Sequence, residues 1–114
     1  MEEKVPQPDA PRFSRELLRE RIDEATVDCY GESEETSGLL TMIEDEVEFP
    51  FKTELLGVSI TVEGVELTDR EEIVAVCRRG SRRQMISLAR LSLPSPPPHR
   101  AEWIAAYRQW YSRG

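Results

Sequence analysis

The chain has 114 residues, a formal net charge of -7 at pH 7 and an apolar share of 39%, enough to place it among folding rather than disordered sequences. That length suits one domain with one modest core. No apolar run approaches the roughly 18 residues of a membrane span, and the acidic balance argues against general nucleic-acid binding, which needs a net basic footprint.

Residues 1–13, "MEEKVPQPDAPRF", read as a flexible arm rich in Pro and charge. Acids and prolines stand where a secretory signal would carry a basic patch and an apolar stretch, so a cytoplasmic home is expected. Ser14 is the expected N-cap of a helix running to about Cys29, with Leu18, Ile22, Ala25 and Cys29 on one face. Gly31 is placed to close that helix in a left-handed conformation. A second helix is expected from Ser33 or Glu34 to Val47, its apolar face made by Leu39, Leu40, Ile43 and Val47. Gly38 interrupts it, a loss of about 1 kcal/mol of local propensity relative to Ala. The helix must stop before "FPF", because Pro50 pushes Phe49 out of the α region.

Beyond Pro50 the apolar period changes to two. "FKTELLGVSITVEGVEL" reads as two or three short strands broken at Gly57 and Gly64. "EEIVAVCRRGSRRQMISL" reads as a hairpin turning at Gly80-Ser81, and "LARLSL" as a tight turn with a last short strand. So many short strands in so few residues predict a small SH3-like β-barrel over residues 50–94. "PSPPPHR" reads as a stiff linker, followed by a helix over about 100–111. Its stripe is Ile104, Tyr107 and Tyr111, with Trp103 and Trp110 at the margins, and it reads as an anchor onto the barrel rather than a partner-binding face. The expected class is α+β: acidic N-terminal helices (14–48) packed on the SH3-like barrel, with a C-terminal helix, all one domain over 14–114.

The two cysteines, Cys29 and Cys77, read as reduced core residues rather than a disulfide, given no export signal. A structural zinc site is excluded by spacing and by the single histidine, His99, which sits in the linker.

Charge is unevenly spread. The stretch from Asp28 to Glu54 is strongly acidic, with neither Lys nor Arg between Tyr30 and Phe51, and the stretch from Arg78 to Arg90 is strongly basic. On the second helix Glu34, Asp45 and Glu48 lie opposite the apolar face and Glu44 at its edge. Glu44, Asp45, Glu46 and Glu48 sit at the C-terminal end, where the helix dipole is already negative and each carboxylate should cost up to about 1 kcal/mol. The last carbonyls there also lack partners. Asp28, Glu32 and Glu35 surround the turn between the helices, where they are free to fold back towards this cluster or to form another. A divalent cation would relieve both problems. All candidate donors are oxygens, which suit hard ions, and a crowded, irregular set favours calcium over magnesium. The spacing is not that of an EF-hand. A solvated acidic surface or a docking face fits the same composition.

The run "ATVDCYGESEE", the central Gly38, the block "IEDEVEFPF", then "VSITVEGVELT" and the ending "AEWIAAYRQWY" resemble, in order, the CcbP-type family of small calcium-binding proteins. The resemblance spans about residues 20–111, and "IEDEVEFPF" is its most specific part. It implies a helical, acid-rich front on an SH3-like barrel and a calcium-buffering or sequestering role without catalysis. Carried over by position, the metal-binding acids would be Asp28, Glu32, Glu35, Glu44, Asp45 and Glu48. Two features depart from the family: Leu39, Leu40 and Met42 stand where aromatics are expected, and the hairpin "CRRGSRRQ" is unusually basic, a means of neutralising the acids internally.

The rival reading is an SH3-like interaction module with an acidic docking face, its protein partner unknown. An enzyme is not expected. Paired carboxylates such as Glu44 and Asp45 can do acid–base work, but no nucleophile with an adjacent base, phosphate-binding loop or oxyanion motif accompanies them.

Overall fold

A computed structural model describes residues 13–113. Most of the expected N-terminal arm, residues 1–12, lies outside the described residues, while Phe13 packs against the core. Ser14 caps α1 (Arg15–Ala25) as expected, its hydroxyl accepting the Leu17 N–H at 3.0 Å. The helix ends at Ala25, short of the expected Cys29. Thr26 and Val27 follow, β-branched residues with poor helix propensity. The Thr26 N–H and hydroxyl both donate to the Ile22 carbonyl, at 3.0 and 2.7 Å. The left-handed residue after the helix is Asp28, at φ 64°, and Gly31, at φ 105°, opens the next helix instead of closing this one.

Helix α2 (Glu32–Glu46) buries Thr36, Leu39 and Ile43, and Val47 follows in extended conformation, also buried. Gly38 is the crossing point of the two helices: a Cβ there would lie 2.2 Å from the Ala25 carbonyl oxygen. What reads in the sequence as an interruption is the condition for backbone-to-backbone approach.

Four antiparallel strands follow, β1 (Phe51–Leu55), β2 (Val58–Leu67), β3 (Ile73–Arg79) and β4 (Arg82–Ser87), in sheet order β1-β2-β3-β4. Leu56 (φ 52°) and Gly57 (φ 79°) make the two-residue turn between β1 and β2, both central residues left-handed as the twist of such hairpins requires. Gly64 does not break β2; it follows a bulge between Val62 and Gly64. The hairpin at Gly80-Ser81 forms where expected.

The sheet is open, so the expected barrel is not closed: β1 and β4 are its two edges. The last strand expected in "LARLSL" is replaced by a 3-10 turn (Leu88–Arg90) and irregular chain whose Leu91 and Leu93 are buried. That chain is tied to β1 by a side chain, Thr53 Oγ1 donating to the Ser92 carbonyl at 2.6 Å. Pro94, Pro96, Pro97 and Pro98 lack the N–H groups a ladder would need. The segment "PSPPPHR", expected as a stiff linker, is tied back to the chain just after α2, the Glu48 N–H donating to the His99 carbonyl at 3.1 Å.

Helix α3 (Glu102–Tyr111) buries Trp103, Ile104, Ala106, Tyr107 and Trp110, whereas Tyr111 is half exposed. The buried stripe is therefore centred nearer the two tryptophans than the sequence suggested. The helix packs on α1, α2 and the 3-10 turn, and α2 packs on β2. The Tyr107 hydroxyl accepts the Ile73 N–H at 3.2 Å, pinning α3 to the start of β3. One apolar cluster joins Leu39, Ile43, Val62, Ile73, Ala75, Trp103, Ile104 and Tyr107, so helices and sheet share a core. Among the described residues no helix is long and apolar enough to cross a membrane.

Candidate functional site

The six candidate acids divide between the two ends of α2. Glu32 and Glu35 lie in its first turn, and Asp28 in the turn before it. Glu44 and Asp45 lie in the last turn, and Glu48 just beyond. Twelve helical steps from Glu32 to Glu44 hold the groups roughly 18 Å apart along the axis. The chain therefore does not fold the two sets together.

At the first end Glu32 and Glu35 already have partners. Glu32 is 2.7 Å from the guanidinium of Arg113, which lies 4.0 Å over the Trp110 ring. Glu35 accepts the Trp110 indole N–H at 2.9 Å, and Glu34 accepts the Tyr30 N–H at 2.8 Å. The Ser33 hydroxyl donates to Glu71, across the sequence, at 3.1 Å. Acids in the first turn of a helix also sit at the favourable end of its dipole. These carboxylates are thus accounted for by helix capping and by tying α2 to α3. Asp28 itself is exposed.

At the second end the helix carries no basic residue in its last turn. Relief comes from the segment before α3. Arg100 approaches Glu46 at 3.1 Å, and the Glu48 carboxylate lies 3.4 Å from the His99 N–H. Glu44 and Asp45 are exposed and have no ion-pair partner among the described residues. The basic hairpin does not neutralise this cluster: Arg78 pairs with Glu63 of the neighbouring strand at 2.7 Å. The neutralising cations, Arg100 and Arg113, were missed in the sequence reading. Their only signal was being basic residues that flank the C-terminal helix.

As arranged, these groups do not fit an enclosed calcium cage. Among the described residues no three of His, Cys, Asp or Glu stand close enough to hold a metal ion together. Calcium takes six to eight oxygens, and Glu32, Glu35 and Glu48 are engaged elsewhere.

Both cysteines are free, Cys77 in the core and Cys29 half-buried in the α1–α2 turn. The Cys29 thiol is pushed above its ordinary pKa by desolvation first, and then by the negative charges of Glu34, Glu35 and Asp28. That turn therefore carries a concentrated negative potential at a position where the thiol senses it. Beside it stand two exposed apolar side chains, Tyr30 (84% exposed) and Val27 (67%).

Compared with protein-family models, with curated proteins and with solved structures, the chain matches none.

Proposed function

We propose that this is a non-catalytic calcium-binding protein that takes the ion on its exposed acidic surface, at the C-terminal end of α2, through Glu44 and Asp45. The observation that carries the reading is the pair Glu44 and Asp45, exposed at the negative end of a helix dipole with no ion-pair partner among the described residues. The resemblance of "IEDEVEFPF" to the CcbP-type family supports the same block. A site so open leaves most of the coordination to water, so the dissociation constant is expected in the weak range of about 10⁻⁴ to 10⁻³ M.

Calorimetric titration with calcium, and in parallel with magnesium, tests this. Calcium at a hundred times its dissociation constant should raise stability by about 2.7 kcal/mol. Exchanging Glu44→Gln and Asp45→Asn together should abolish the heat and that rise while the fold survives. A double variant that answers calcium as the parent does would sink the assignment.

One observation favours a second reading, an acidic docking face. Tyr30 and Val27 project into solvent beside Asp28 and Glu34, the mixture of apolar anchor and charge that interfaces use. A partner held there would stay bound in EGTA, whereas the metal site would empty.

The SH3-like relation belongs to the same proposal. Its support is the 3-10 turn after β4 and the chain after it, which is tied to β1 by Thr53 and Ser92. Amide exchange decides it. A fifth strand that closes onto β1 in solution would protect the Leu91 and Leu93 amides as strongly as those of β1; amides exchanging like open loop would remove the relation.

A further inference from the structure

We propose that the free edge of β4, with the arginines around the β3–β4 turn, docks an extended acidic segment of a partner protein, which adds to the sheet as a fifth strand. The register supplies the argument. Arg79 stands opposite Arg82 and Arg78 opposite Arg83, flanking the two-residue turn Gly80-Ser81. Directly opposed residues point to the same face, so like charges are stacked on both faces of the hairpin tip. Arg78 is held by Glu63. Arg79, Arg82 and Arg83 are exposed and have no carboxylate partner among the described residues.

Charge on an edge strand commonly serves to repel unwanted pairing. That purpose is met by charging the edge strand alone. Here the inner strand β3 is charged as well, and each opposed pair weakens the hairpin locally, an arrangement that an external anion would relieve.

The backbone offers the complementary half. The pair that flanks a two-residue turn exchanges both of its hydrogen bonds, and bonded and non-bonded pairs alternate from there. Arg82, Gln84 and Ile86 therefore turn their backbone groups to β3, while Arg83 and Met85 turn theirs outwards. β4 is the last strand of the sheet, so those outward groups face no neighbouring strand among the described residues. Met85, 49% exposed, supplies an apolar contact beside the arginines. Strand addition uses these three features: main-chain bonds for affinity, and side-chain contacts and charge for selection. A nucleic acid is the poorer occupant. It makes no strand ladder, neither β3 nor β4 carries an aromatic side chain for a base to stack on, and the chain as a whole is acidic.

The test uses the full chain in EGTA, so that failure of the calcium assignment does not touch it. The probe is a fluorescein-labelled octapeptide of alternating Glu and Thr. It should bind saturably and weaken as salt rises. The variant Arg79→Thr/Arg82→Thr/Arg83→Thr should bind about tenfold more weakly, three exposed ion pairs' worth. Met85→Pro removes an outward N–H without breaking the β3 ladder, a position where an edge strand tolerates proline, and it should lose most of the binding. A peptide N-methylated at alternate residues should lose it too, which answers the same question should Met85→Pro fail to fold. No binding of the parent peptide, an undiminished affinity in the arginine variant, equal binding of the N-methylated peptide, or tighter binding of oligothymidylate would each overturn the proposal.

Discussion

Gly38→Ala is expected to destabilise the protein by about 1–3 kcal/mol, even though alanine is the better helix former by about 1 kcal/mol. The two effects have opposite signs, and the geometry decides between them. A Cβ at this position would meet the Ala25 carbonyl oxygen at 2.2 Å, with the Ala25 carbonyl carbon at 3.3 Å and Cys29 Sγ at 3.6 Å behind it. The obstructing atom is backbone, at the last residue of α1. It cannot rotate away, so the helices must separate, and α1 loses part of its packing on α2. A loss of that size lowers the melting temperature by roughly 4–8 °C per kcal/mol in a domain near this length. Thermal denaturation of the variant is the measurement. A rise in melting temperature would mean that propensity governs the site and that α1 and α2 do not cross there.

The same glycine marks where sequence reasoning reaches its limit. Local signals survived folding well. The Ser14 cap, the apolar face of α2 and the turn at Gly80-Ser81 all depend on residues a few positions apart, and each appears in the structure. The losses came from long-range partners. Gly38 looks like a flaw until Ala25 is seen beside it. Arg100 and Arg113 look like ordinary basic residues until they stand against Glu46 and Glu32. The closing strand of the barrel had the right apolar pattern at Leu91 and Leu93, but the prolines after it leave too few donors for a ladder.

The candidate site shows the same division at higher stakes. Composition correctly found an excess of carboxylates, yet composition is blind to direction along a helix. Acids in the first turn of α2 answer its dipole and bind α3, so their presence calls for no ion. Acids in the last turn oppose the dipole, and among the described residues only Glu46 has gained a cation. Apart from the exposed Asp28, the unexplained charge therefore shrinks from six scattered candidates to a surface around Glu44 and Asp45. That is why the calcium proposal is confined to one end of the helix.

Trp103 gives the second large effect, through a contrast between two substitutions. The side chain is 2% exposed and lies in the cluster that joins helices to sheet. Trp103→Ala should lower stability by about 3–5 kcal/mol, the usual outcome of emptying a large aromatic site. In a protein whose total stability is of order 5–15 kcal/mol, that approaches unfolding. Trp103→Phe should behave differently. The indole Nε1 is buried and meets no acceptor among the described residues. An unpaired buried donor costs about 1–3 kcal/mol, and phenylalanine removes that donor while keeping most of the apolar volume. The Arg21 guanidinium, 5.5 Å from the ring centroid, retains an aromatic face to rest on. The lost volume and the relieved donor then nearly cancel, so the Phe variant should unfold within about 1 kcal/mol of the parent. Urea denaturation of both variants separates the terms. If Phe proves nearly as damaging as Ala, the indole N–H makes a bond that matters, and the core around Trp103 is wetter than its packing implies.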